Sequence, residues 1–355
     1  MIVVVDCKTL IYLLIIISIS SLNLIIPGSA LEAKITVEPG ETIQSAIDQA
    51  TPGDTIEVTS GTYEESISVN KRLALIGVDT GKGAPEIEGV LITADNSEFD
   101  GFRVSNHAWF GIAVNSNNSN ISDNEVEACM GGIFLKGVHG NLVARNDIRV
   151  VCEGWYGLLS GSFSMGGGDG IQLNYSSNNI IQDNTVANGF IGIYLDTSSN
   201  NFVVGNNASG NTNGIGLFSA TANTIQGNLI RKNSDDGLGL VKFSNNSIIT
   251  GNTVEDNGDF GIWLKDSSHN TIYLNNFRND KNAQSMDYHS QGSSSIWQSS
   301  GPVTYLKGNE SIKGYAGNYW SDYRGKDLNG DDIGDEPYVF DGGQDNYPLM
   351  RPRTG

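Results

Sequence analysis

Ile181-Gln-Asp-Asn-Thr-Val-Ala-Asn-Gly-Phe-Ile-Gly-Ile-Tyr-Leu195 is followed, one period later, by Val203-Val-Gly-Asn-Asn-Ala-Ser-Gly-Asn-Thr-Asn-Gly-Ile-Gly-Leu217. Both stretches carry the same marks in the same order. A β-branched residue precedes an Asn by three places, a small apolar residue follows that Asn by two, and a Gly-Ile pair and a Leu complete the unit. The Asn recurs at 124, 146, 184, 206, 228, 252 and 275, at intervals of 22, 38, 22, 22, 24 and 23, the long interval being one repeat plus a 16-residue insertion. In step with it come Ile121, Val143, Ile181, Val203, Ile225, Ile249 and Ile272, all β-branched, and a Leu column from Leu135 to Leu264. Such self-similarity is the signature of a solenoid.

Each apolar run lasts two to four residues and alternates in and out, as in Ile193-Tyr194-Leu195, which is a strand period and leaves no room for a helical turn. One coil cannot bury its apolar side alone. Coils stacked at the strand spacing of ~4.8 Å share a core and pair their backbones above and below. The expectation is therefore all-β: a single-stranded right-handed parallel β-helix of roughly ten coils. A leucine-rich repeat has a similar period, but its Leu-dominated consensus and return segment do not match Ile/Val columns rich in Gly and Asn. The Asn column reads as scaffold, because Asn tolerates left-handed backbone and stacked amides can bond coil to coil.

Working outward, residues 31–98 read as an N-terminal cap and the first coils, 99–282 as β-helix repeats with the insertion at 149–168, and 283–355 as an irregular C-terminal cap. Ile43, Ala46, Ile47 and Ala50 share one helical face, so residues 41–50 predict a short amphipathic lid over the open end. The chain begins with an apolar run from Leu10 to Ile26 followed by Pro27, Gly28, Ser29 and Ala30; residues 1–30 read as an export signal, with retention as a membrane anchor the alternative.

Composition limits the function classes. The 355 residues include 44 Gly and 38 Asn, about 23% together, too many turn formers for a helical bundle. A net charge of −19 repels nucleic acid and anionic membranes. Of three cysteines, Cys7 falls in the signal, and Cys129 and Cys152 follow successive column Asn closely enough to pair as a disulfide.

Chemistry has three candidate seats. The insertion carries Trp155, Tyr156 and Phe163 beside an outward column of Phe134, Gln172, Tyr194 and Trp263, flat rings next to polar groups that suit stacking on sugars. Asp235, Asp236 and Asp259 fall together if the coils stack, the arrangement an acid–base reaction on a polysaccharide would need. Asp327, Asn329, Asp331 and Asp335 offer oxygens at alternating positions that suit calcium, without the twelfth-position Glu of an EF-hand.

The opening Glu41-Thr-Ile-Gln-Ser-Ala-Ile-Asp48, Pro52-Gly-Asp-Thr-Ile-Glu-Val58 and Gly61-Thr-Tyr-Glu-Glu65, the Asn and Gly-Ile coils, and the closing Gly317-Asn-Tyr-Trp-Ser-Asp-Tyr323, Asp327-Leu-Asn-Gly-Asp-Asp-Ile-Gly-Asp-Glu-Pro-Tyr338 and Asp345-Asn-Tyr-Pro-Leu-Met350 resemble the NosD-like right-handed β-helix family. The resemblance spans nearly all of residues 35–352 and implies a fold shared with carbohydrate-binding proteins and sugar hydrolases, especially exported archaeal members. It also implies a periplasmic copper-binding label, for which Cys129, Met130, Cys152 and Met165 would be the soft ligands and His139 an imidazole ligand, though no close Cys/His/Met spacing supports it. The expected role is non-catalytic binding of carbohydrate or other envelope material. A polysaccharide lyase or hydrolase and a copper accessory protein are the alternatives.

Overall fold

The computed structural model describes residues 32–106, 109–151, 168–286, 295–307 and 310–353. The export signal, most of the insertion with Cys152, Trp155, Tyr156, Phe163 and Met165, and the segment 287–294 lie outside the described residues. Residues Lys34–Gly355 make one compact unit. It is a right-handed parallel β-solenoid of about eleven turns with almost no helix. The extra turn lies at the start: Lys34–Val37 already pairs in parallel with Thr55–Thr59, one coil before the repeat becomes recognisable.

Three faces wind round the stack. One is an eleven-stranded parallel sheet running from Lys34–Val37 to Thr271–Tyr273. The second contains Glu125–Ala128, Asp147–Val150 and their successors to Asn276–Arg278, and the third contains Gly131–Lys136, Asp169–Asn174, Ile191–Asp196, Asn213–Phe218, Leu238–Val241, Phe260–Lys265 and Lys281–Met286. In the first coils these two faces are still one bent ribbon, since Glu86–Ile92 pairs with both Arg103–Asn106 and Phe110–Val114. All the apolar columns point inward: Ile121, Val143, Ile181, Val203, Ile225, Ile249 and Ile272 are fully buried, as are Ile193, Leu195, Ile262 and Leu264. Each contributes roughly 1.5–3 kcal/mol of burial.

The Asn column is a ladder of buried amides. Asn206 Oδ1 accepts both the backbone N–H (2.9 Å) and the Nδ2 (2.9 Å) of Asn184, while its own Nδ2 donates to Asn228 Oδ1 (3.0 Å) and Ile181 O (2.8 Å). The same pattern runs from Asn124 through Asn275 to Asn318. A second ladder climbs Asn141, Asn179, Asn201 and Asn223, and a third climbs Asn211, Asn233, Asn257 and Asn279. The left-handed turn expected at the Asn itself belongs instead to the residue before it: Asp123, Arg145, Asp183, Gly205, Gly227, Gly251 and Leu274 all have φ between 54° and 68°. The reason is geometric. A left-handed residue turns the corner, and the amide that follows is thereby aimed along the axis, where it can reach the next coil.

Both ends are closed. The helix Ile43–Gln49 covers the first coil with Ile43 and Ile47 buried. Glu65 accepts the N–H groups of Ile43 (2.7 Å) and Gln44 (3.1 Å) at its start, and Lys71 Nζ donates to the carbonyls of Ile47, Asp48 and Ala50 at its end. At the other end Trp320, 1% exposed, stacks on Phe277 (4.7 Å) and Tyr338 (4.5 Å), with Trp297 and Phe340 beside it. Tyr323 packs on this main core and Tyr319 on a smaller terminal cluster. The region beyond 282 is less irregular than expected, since Tyr319–Trp320 rejoins the second face beside Asn276 and Phe277.

Candidate functional site

The third face carries the outward column. Its register sets Phe134, Gln172, Tyr194, Gly216, Gly239, Trp263 and Gln284 on successive coils. Phe134 also stacks on Phe110 at 4.5 Å. Four of the six residues expected to meet a ligand are thus brought to one line, and Trp155 and Tyr156 lie outside the described residues. The described chain ends at Val151 before that segment and resumes at Gly168, whose N–H donates to Cys129 O (3.3 Å). Tyr194 and Trp263 are half-buried. The Trp263 indole N–H is buried with no hydrogen-bond partner among the described residues. Lys265 Nζ sits 5.7 Å from the centroid of that ring.

Sequence reading missed Gly216 and Gly239. Composition marks glycine as a turn former, whereas these two occupy outward strand positions between the two large rings. The signal was available, because every other coil from Phe134 onward places a large side chain there.

One residue before the buried Gly of each unit, or before Asn282 in the last, is a second outward column, which includes Asp169, Ile191, Asn213, Asp236, Phe260 and Lys281. Asp236 belongs to the carboxylate cluster: one oxygen each of Asp235, Asp236 and Asp259 lies within 4.8 Å of the others. The stacking that joins them is direct, the Asp259 N–H donating to Asp235 O at 3.1 Å. Asp236 is 9% exposed and its Oδ1 accepts the Phe260 N–H at 3.0 Å. Burial, with the neighbouring Asp235 and Asp259, pushes its carboxyl up to about 6 against that hydrogen bond. Lys281 forms an ion pair with Asp259 and offsets part of the local negative charge. Asp169, farther along the column, is pushed by burial to about 7, its hydrogen bond from the Ile191 N–H notwithstanding.

Among the described residues this trio is the only group of three or more His, Cys, Asp or Glu side chains so arranged. The oxygens of Asp327, Asp331 and Asp335 do not converge. They serve their own loop: Asp327 accepts the N–H groups of Gly330, Asp331 and Asp332, Asp331 that of Ile333, and Asp335 that of Leu328. Asn329 bonds within the same loop, to Asp331.

The repeat, the coil geometry and the terminal motif now stand beside a direct family match, over residues 150–325, to the model described as periplasmic copper-binding protein (NosD). Those residues belong to the NosD family. No curated protein matches the sequence. Among solved structures, the chain is similar to ORF18 of Geobacillus virus E2, with 13% identity and a TM-score of 0.53 over 79% of this chain and 63% of that one. It is also similar to the pectate lyase Pel9A (13%, TM-score 0.49, 74% and 80% covered) and to the periplasmic alginate epimerase AlgG (15%, TM-score 0.43, 74% and 75% covered). The chain spans 61% of a mutant form of that epimerase. These identities speak to fold alone.

The copper named in the family description finds no matching donor set among the described residues. Cys129 is disulfide-bonded, so its sulfur is not a thiolate. The one converging cluster is all carboxylate, a hard oxygen set that copper does not favour. Among the described residues no helix is long and apolar enough to cross a membrane.

Proposed function

We propose that this NosD-family protein is exported and acts as a surface or periplasm-like binding protein for carbohydrate or other envelope material, held along the outward column of the third face. The observation that carries the reading is the register that sets Tyr194 and Trp263 on one line with two glycines between them. Half-exposed rings on a rigid sheet present flat apolar faces to pyranose rings, and the polar flank supplies groups for hydroxyls. Export accords with the periplasmic description of the family and with the apolar N-terminal run.

A second reading has its own observation. Three carboxylates within 4.8 Å, one of them pushed up to about 6, could hold and move a proton at neutral pH. One experiment addresses both. Purified protein is incubated with a panel of polysaccharides, and binding and chain cleavage are measured together. Binding that falls about tenfold or more, roughly 1.4 kcal/mol, in Tyr194→Ala and Trp263→Ala supports the binding role; unchanged binding in both overturns it. Release of reducing or unsaturated ends that vanishes in Asp236→Asn would replace it with catalysis.

A further inference from the structure

The column reading leaves open what kind of residue is held and where, and the two glycines answer both. Gly216 and Gly239 leave adjacent coils of the outward column without side chains, in a line otherwise walled by Tyr194 and Trp263. The two are not equivalent. A Cβ on Gly216 would lie 3.3 Å from Ile191 Cδ1 and 3.5 Å from Tyr194 Cδ2, so those side chains already lean over that coil. A Cβ on Gly239 would meet nothing within 4 Å. The opening is therefore centred on Gly239, two coil steps or about 10 Å from Gly216 to Trp263.

Its two flanks differ. Phe218 and Val241 follow Gly216 and Gly239 on one side. On the other, Asn213 and Asp236 keep hydrogen-bonding capacity: among the described residues Asn213 Oδ1 accepts the Asp236 N–H at 3.3 Å while its amide hydrogens have no partner, and the Asp236 carboxylate uses only Oδ1. One donor and one acceptor side by side match adjacent hydroxyls of a sugar ring. The flank that carries Asp236 is unfavourable for an anion. Asp235 and Asp259 crowd Asp236, Lys281 is paired with Asp259, and Lys242 and Lys265 sit over the rings of Phe218 and Trp263 on the opposite flank. The whole chain adds its net charge of −19.

We propose that Gly239 is the floor of a seat for a single uncharged pyranosyl residue of a polysaccharide, stacked between Tyr194 and Trp263 and hydrogen-bonded by Asn213 and Asp236. The proposal rests on the column reading and adds the position and chemical class of the occupant. Its absence of a side chain makes Gly239 a specificity-determining residue, because any larger residue would occupy the space of the sugar.

The test uses the full chain, with immobilised mannan, β-glucan and galactan as uncharged probes and alginate and polygalacturonate as polyuronates. In Gly239→Gln the added Cβ meets no atom within 4 Å, so the melting temperature should not fall below that of the unsubstituted chain. Binding to an uncharged probe should fall at least tenfold, and Trp263→Ala should lower it comparably. If Gly239→Gln binds as before while Trp263→Ala does not, the seat is refuted and the column reading stands. Preference for the polyuronates would refute the chemical class. Binding to none of the probes, or binding indifferent to both substitutions, would overturn the seat and the column reading together.

Discussion

A primary amide has one oxygen that can accept two hydrogen bonds and one nitrogen that can donate two, and the buried Asn of this solenoid uses all four. That is why the position accepts so little variation in the sequence: Asp would lack the donor, Ser the reach, and Gln would overshoot the next coil. The corner residue ahead of each Asn is freer, being Asp, Arg, Gly or Leu, because its task is a backbone angle. Arg145 and Asp123 form a bidentate pair at these corners, but both are exposed and such pairs contribute little. A contrast in stability follows. Asn206→Ala removes the acceptor of Asn184 and the donor to Ile181 O in a site 0% exposed, and should destabilise by about 3–5 kcal/mol, since each orphaned buried group costs about 1–3 kcal/mol. Asn200→Ala, at an exposed corner with φ of 56°, should cost about 1 kcal/mol. Urea denaturation of the two variants checks the ranking; equal losses would show that the ladder is not a principal source of stability.

At the scale of elements, the coils were legible because they repeat. Ile193 and Leu195 announce a buried strand only once Ile215 and Leu217 appear 22 residues later in the same frame. What does not repeat was harder to read. Lys34–Val37 escaped notice as a coil because it has no Asn and no Gly-Ile, only a pairing with Thr55–Thr59. Tyr319–Trp320 was hidden by the excursion between the last repeat and its own return to the stack. The carboxylate trio is visible, since its members hold neighbouring positions in successive repeats, whereas sequence spacing at 327–335 does not reveal that Asp327, Asp331 and Asp335 accept hydrogen bonds from their own loop. The lid helix was visible from its apolar face, but its caps were not: Glu65 and Lys71 lie 22 and 24 residues from Ile43 and Ile47. Those long-range caps allow the lid to be tested alone. In Glu65→Ala, Ile43 and Gln44 lose their acceptor, and hydrogen exchange of residues 43–49 should rise by about tenfold, while amides of the coils beyond 120 keep their protection. Uniform loss across the solenoid would mean that the lid and the coils unfold as one unit.

For the molecule as a whole, the ladder raises the question of how it ends. Every Asn passes its N–H and Nδ2 to the next oxygen, so the last one, Asn318, needs an acceptor with no coil above it. Asp345 supplies it. Its Oδ2 accepts the Asn318 N–H (2.6 Å) and the Trp320 indole N–H (2.9 Å), and its Oδ1 the Tyr347 N–H (2.9 Å), in a site 0% exposed. The approach is so close that a Cβ on Gly317 would fall 1.8 Å from Asp345 Oδ1. Burial nevertheless outweighs these donors and raises the Asp345 carboxyl to about 6. A carboxyl raised in the folded state binds more protons there than in the unfolded chain between its unfolded value of 3.8 and its folded value, so stability falls as pH rises through that window. Asp236 at about 6 and Asp169 at about 7 act in the same direction. Asp79 and Asp123, held low by hydrogen bonds from the backbone around Gly81 and from Arg145, oppose this only below the ordinary carboxylate range. Relief of the −19 charge on approach to the isoelectric point near 4.4 adds to the gain. The melting temperature, measured at low protein concentration between pH 8 and pH 4.5, should therefore climb as the solution is acidified. Asp345 alone would account for about 3 kcal/mol at about 1.4 kcal/mol per pH unit. In Asp345→Asn the climb should be shallower, whatever that substitution costs at pH 8. A melting temperature that drops steadily from pH 7 to pH 5 would show that the terminal carboxylate is held as a stable anion by its donors and that the ladder is closed by charge.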